Sequence, residues 1–90
     1  MIDEVAKWQR RTFGWKVTPE DAAARLRKEL DEFLENPTPE EAADCVITAI
    51  DLFRSIENDE PLVAVCDKHA INVGRSWRVS PDGTGQHVEE

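Results

Sequence analysis

The chain has 90 residues, a net charge of −8 from 19 acids against 11 lysines and arginines, and 40% hydrophobic residues. This length makes one domain with a small core. The acidity argues against a nucleic-acid polymer held by the overall field, and no run approaches the roughly 20 apolar residues that span a bilayer. The opening MIDEVAKWQRR lacks the apolar segment of a secretory signal. Cys45 and Cys66 sit inside apolar helical patterns without CxxC spacing, so they read as buried or partly buried thiols of an intracellular, cytoplasmic protein.

Strand signals are nearly absent, and helix signals are frequent. A first helix is expected from about Ile2 to Thr12, with Ile2, Val5, Ala6 and Trp8 or Phe13 as its apolar set and Gly14 as its end. Thr18-Pro-Glu-Asp is a helix start, with Thr at N-cap, Pro at N1 and acids in the first turn. The second helix runs to about Glu35 on a stripe of Ala22, Ala23, Leu26, Leu30, Phe33 and Leu34, and Asn36-Pro37 stops it. Thr38-Pro-Glu-Glu repeats the start, with Glu41 at the N3 position of a capping box.

The third helix is expected from Pro39 to about Glu57. It is apolar over more than half its circumference, through Ala42, Ala43, Cys45, Val46, Ile47, Ala49, Ile50, Phe53 and Ile56. So wide an apolar surface predicts contacts on two sides, one with its own bundle and one with a second subunit, as a homodimer or tetramer. A fourth helix is expected from about Pro61 to Asn72 or Arg75, carrying Leu62, Val63, Val65, Cys66, Ala70, Ile71 and Val73. The expected fold class is all-α: a small antiparallel bundle of about four helices, completed by oligomerisation. Residues 1–77 form the helical domain, and residues 78–90 a polar, Pro/Gly-rich, loop-like C-terminal tail.

Two acidic pairs flank the Asn36–Pro39 turn. Glu29 and Glu32 lie three apart on the second helix, about 60° and about 120° from the Leu26 stripe centre. On the third helix Glu41, Asp44, Thr48 and Asp51 form a narrow polar seam. A short turn makes the helices antiparallel, which sets Glu41 and Asp44 level with Glu32 and Glu29. Four carboxylates so placed either raise one another's pKa or hold a cation, and an all-oxygen site suits Mg²⁺ or Mn²⁺. Singly, each element has a plainer reading. Glu41 serves as a capping-box acid, Glu-x-x-Glu is ordinarily a solvated face, and Asp51 pairs with a nearby Arg. Downstream, Lys68, Asn72 and Arg75 share one helix face, either as a phosphate and sugar clamp or as a basic helix C-terminus.

Together, Glu29-Leu-Asp-Glu32, Glu41-Ala-Ala-Asp44 and Lys68-x-x-x-Asn72-x-x-Arg75 resemble the ordered motifs of the MazG-like all-α nucleoside triphosphate pyrophosphohydrolases. The flanking text is most similar to the dATP/dGTP diphosphohydrolase branch, known from phages and bacteria. It includes Trp8-Gln-Arg-Arg-Thr-Phe-Gly14, Leu26-Arg-Lys-Glu-Leu-Asp-Glu32, Asn72 to Trp77 and a tail containing Gln-His-Val. One departure is the eight-residue spacing between Glu32 and Glu41, shorter than in larger MazG proteins, which removes no ligand.

The resemblance implies a cytoplasmic enzyme of a bacterial cell or phage-infected host. It would cleave a nucleoside triphosphate, dATP or dGTP in this branch, between the α and β phosphates. Glu29, Glu32, Glu41 and Asp44 would hold Mg²⁺, or alternatively Mn²⁺. Glu32 or Glu41 would accept a proton from water, and Lys68, Asn72 and Arg75 would bind the substrate, with Lys68 and Arg75 stabilising phosphate charge. Trp8, Trp15, Trp77 and His87 are further candidates to line a pocket, although Trp8 reads more simply as a core aromatic. The rival from another class is a non-catalytic module whose acidic helical face engages a basic protein.

Overall fold

The computed structural model describes residues 1–88, with the side chain of His87 outside the described set. Four helices follow in order, α1 (Ile2–Phe13), α2 (Pro19–Glu35), α3 (Pro39–Ser55) and α4 (Pro61–Val73). An antiparallel hairpin of β1 (Ser76–Val79) and β2 (Gly85–Val88) comes last. Among the described residues no helix is long and apolar enough to cross a membrane.

The helix boundaries follow local chemistry. Gly14, at φ 76°, closes α1 while its N–H donates to the Arg10 carbonyl; this left-handed region is the one glycine enters without a Cβ penalty. Thr18 and Thr38 cap α2 and α3 by accepting from the Asp21 and Glu41 backbone N–H groups at 3.1 and 3.2 Å. Only this half of the Thr38–Glu41 box forms among the described residues, so the Glu41 carboxylate is not spent on the cap. The α4 start has no side-chain cap of its own. Asp3 of α1 supplies one instead, accepting from the Leu62 N–H at 3.2 Å.

α3 ends at Ser55, short of the expected Glu57. Glu57 adopts φ 58°, left-handed and unsuited to a helix, while the Asn58 N–H closes back on the Phe53 carbonyl at 2.9 Å. The tail also differs from the expected loop. The turn at Ser80–Thr84 is built on Gly83 at φ 86° and on Asp82. Asp82 Oδ1 accepts from the Thr84 hydroxyl and backbone N–H, which holds its carboxyl below its ordinary value. Trp77 lies across Gly85 and donates from Nε1 to the Asn72 carbonyl, tying the hairpin to the end of α4. Asp-Gly between two four-residue runs was the available signal, obscured by polar, short strands.

α2 packs along α3, and α1 bridges α3 and α4. Among the described residues the buried apolar ones are few, namely Ala6, Ala22, Ile50 and Pro61. The radius of gyration is 15.2 Å, against about 12 Å for a compact chain of this length. The expected α2 and α3 stripes are covered only in part, with Leu34 75% and Val46 61% exposed. Trp8, expected in the core, is half exposed and packs edge-to-face on Phe13 at 5.5 Å. Cys45 is half-buried, as expected, but Cys66 is exposed, because α4 presents Leu62, Val63, Val65 and Ile71 outward beside it. Both thiols are unpaired by any disulfide.

Candidate metal centre

The α2–α3 pair brings the acids together. Glu29, Glu41 and Asp44 each offer a carboxylate oxygen, and these oxygens lie within 4.8 Å of one another. Glu32 stands beside Glu29 in hydrogen-bonding contact but outside that trio. Glu29 and Glu41 are half-buried and Asp44 is exposed. The Glu41 Oε2 atom is buried without a hydrogen-bond partner, a costly state for a carboxylate oxygen unless a cation or proton satisfies it.

Electrostatics report the same crowding. Desolvation first, then the charges of Glu32, Asp44 and Glu41, push the Glu29 carboxyl above its ordinary value. The Cys45 thiol is pushed up by burial and then by Glu29, Glu41, Asp44 and Glu32. All four acids therefore act on this thiol, and their charge disfavours its thiolate. A set of hard oxygens with one orphaned buried atom fits a divalent cation.

A thermodynamic consequence follows. Glu29 titrates higher in the folded chain than in the unfolded one, so its ionisation lowers stability as pH rises through the folded pKa. Glu29→Gln is therefore expected to melt above the parent at neutral pH in chelator. The gain should vanish below the ordinary carboxylate range, where both states of the parent are protonated. With Mn²⁺ at a hundredfold excess over its Kd the order reverses, since the parent gains about 2.7 kcal/mol, or about 10–20 °C, and the variant does not. Thermal melts across pH, with chelator and with metal, check both arms.

A cavity of about 380 Å³ adjoins the cluster. It is lined by Phe13, Arg25, Lys28, Glu29, Thr48 and Asp51, so Glu29 belongs to both. Asp51 does pair with an arginine. Its Oδ1 accepts from the Arg54 Nε at 3.1 Å, and Arg54 is only 3% exposed. The same guanidinium donates to the Gly14 carbonyl at 2.7 Å and lies 5.5 Å from the Phe13 ring centre. The α1–α2 corner is thereby pinned onto α3. Sequence reasoning missed Arg54, although the Asp51–Arg54 spacing of three was its signal. It also missed Gln9, which is 3% exposed and donates from Nε2 to the Ile47 carbonyl at 2.8 Å. A glutamine within a polar helical run carries no sequence mark of burial.

Within one chain, Lys68 and Asn72 do not join the acids. They line another cavity, of about 530 Å³, with Phe53, Ala64, Val65 and His69. Arg75 lies past the end of α4, half-buried. Trp15 sits at the surface under the Arg10 guanidinium, 5.1 Å from the ring centre. The side chain of His87, also a candidate, lies outside the described residues.

The sequence profile of a family described as dATP/dGTP pyrophosphohydrolase matches residues 1–90. No curated protein matches. Four solved chains do. One is the cyanophage S-2L MazG-like pyrophosphohydrolase bound to dGDP and three catalytic Mn²⁺ ions per active site. It is 31% identical, with a TM-score of 0.74, over 98% of this chain and 92% of that one.

Proposed function

Given that this chain belongs to the dATP/dGTP pyrophosphohydrolase family and is a nucleoside triphosphate pyrophosphohydrolase, we propose that it hydrolyses dATP and dGTP between the α and β phosphates. The products are the deoxynucleoside monophosphate and pyrophosphate, and the reaction depends on Mg²⁺, with Mn²⁺ as a substitute. The observation that carries this reading is the acid trio within 4.8 Å, one member of which, Glu41, has a buried oxygen, Oε2, without a hydrogen-bond partner.

In this reading Glu29, Glu41 and Asp44 hold the cation, with Glu32 beside them. A bound divalent cation neutralises polyphosphate charge and lowers the pKa of a water molecule. Glu32, outside the trio, keeps a carboxylate oxygen with which to accept the proton of the attacking water, and Glu41 is the other candidate for this role. Lys68, Asn72 and Arg75 bind the phosphates and sugar, with the two cations countering charge as it develops. The purified chain, assayed against a panel of NTPs and dNTPs with Mg²⁺ or Mn²⁺, should release pyrophosphate. Inorganic phosphate with a diphosphate would mean a different scissile bond. No turnover at all would favour the non-catalytic interaction module.

The functional unit is at least a homodimer. Leu30, Leu34, Val46 and Ile47, and the outward face of α4, are apolar side chains that this chain leaves uncovered and a second copy would bury. Sedimentation should give a species of at least twice 10.2 kDa, and a species at 10.2 kDa overturns the assignment. Because Lys68 and Asn72 line a cavity apart from the acids of their own chain, a second copy supplies them to the site. Glu41→Gln and Lys68→Ala subunits, each impaired alone, should then complement on mixing. Random exchange into dimers returns about a quarter of the parental rate, since half the dimers are mixed and each has one intact site.

A further inference from the structure

We propose that the cavity between α1, α2 and α3 is the base subsite, with Asp51 and Arg25 reading the purine edge as an acceptor and a donor side by side. The inference rests on the proposed function and adds what recognises the nucleoside half. Glu29 lines both the acid cluster and this cavity. A nucleotide whose phosphates lie on the cluster therefore extends into the cavity. Its volume, about 380 Å³, lies within the ordinary range of small-ligand pockets.

The chemistry of the lining selects the edge. Arg54 occupies Asp51 Oδ1 at 3.1 Å, which turns Oδ2 toward Arg25 Nη1, 3.8 Å away. That separation is longer than a hydrogen bond, so both groups retain capacity for a ligand. An ionised carboxylate only accepts and a guanidinium only donates. Adenine presents its amino donor next to the N1 acceptor, and guanine presents the N1–H donor next to the O6 acceptor. The Asp51–Arg25 couple matches either edge in opposite order, which accounts for one pocket accepting both purines. Phe13 adds an aromatic wall, and Thr48 a hydroxyl that donates or accepts.

Two substrate pairs isolate the two contacts. 1-Deaza-dATP lacks the ring acceptor that Arg25 meets, and deoxynebularine triphosphate lacks the amino donor that Asp51 meets. The parent should favour dATP over each by about tenfold or more in kcat/KM, as sites built around a hydrogen bond do. Arg25→Ala should bring the dATP to 1-deaza-dATP ratio close to one. Arg25 is a mostly exposed side chain, so this variant is expected to fold.

Asp51→Asn is informative because Arg54 fixes its orientation. The amide oxygen stays on Arg54 and the NH₂ faces the cavity, turning an acceptor into a donor. The dATP to deoxynebularine ratio should then fall to one or below. Mn²⁺ affinity, which reports the acid cluster, should remain at the parental value in both variants. A parent blind to both analogues, or variants that keep parental ratios while dATP and dGTP are still hydrolysed, overturns the base subsite alone. A parent that hydrolyses no nucleotide overturns the proposed function and this subsite with it.

Discussion

Glu41→Gln is expected to lower kcat by about a thousandfold or more while leaving the helices intact. The substitution keeps the shape of the side chain and removes only its charge. Thr38 caps α3 through the backbone N–H of residue 41, not through the carboxylate, so the cap survives. The buried, unpartnered Oε2 is what the variant loses. Without metal the variant should melt no lower than the parent, because a desolvated charge among like charges has been neutralised. Lost turnover and lost Mn²⁺ binding, together with an undiminished melting temperature in chelator, form the signature. A fall in melting temperature with Mn²⁺ affinity retained would instead assign Glu41 to the fold.

The largest effect on stability is expected at Arg54. Arg54→Ala leaves Asp51 buried with only the distant, exposed Arg25 as counter-charge, strips the Gly14 carbonyl of its donor and empties a packed site. Breaking a buried pair by removing one partner costs about 3–5 kcal/mol, a large share of the 5–15 kcal/mol that holds a domain together. The melting temperature should fall by more than about 10 °C. Arg54→Lys keeps the charge but cannot serve Asp51 and Gly14 with one fork, so it should recover only part of the loss. If Arg54→Ala melts within a degree or two of the parent, the α1–α2 corner is held by packing rather than by this guanidinium.

Both residues show how far the sequence could be read. Glu41 was legible because an i, i+3 acidic pair just after a Thr-Pro start, facing another pair across a turn, leaves few geometries. Arg54 was marked only by its spacing of three from Asp51, and nothing local distinguishes an arginine that will be buried against a distant glycine carbonyl from one in water. Gln9 was hidden for the same reason: its partner, Ile47, lies 38 residues away. The hairpin was obscured because its strands are short and polar, and Trp77 anchors it to α4.

By itself, the sequence determined the helix count, three of the four helix starts through Thr-Pro caps or a proline at N1, and the acid pairs on facing helices. These follow from 3.6-residue periodicity and from backbone groups satisfied within a few residues. Tertiary structure decided which acid stands apart from the trio, and that Lys68 and Asn72 line another cavity than the acids of their own chain. It also decided that Asp51 bonds Arg54 through one oxygen and faces Arg25 at 3.8 Å with the other. Those outcomes depend on side chains meeting across helices, where burial and charge at one position are set by residues far away in the chain, and no local pattern encodes them.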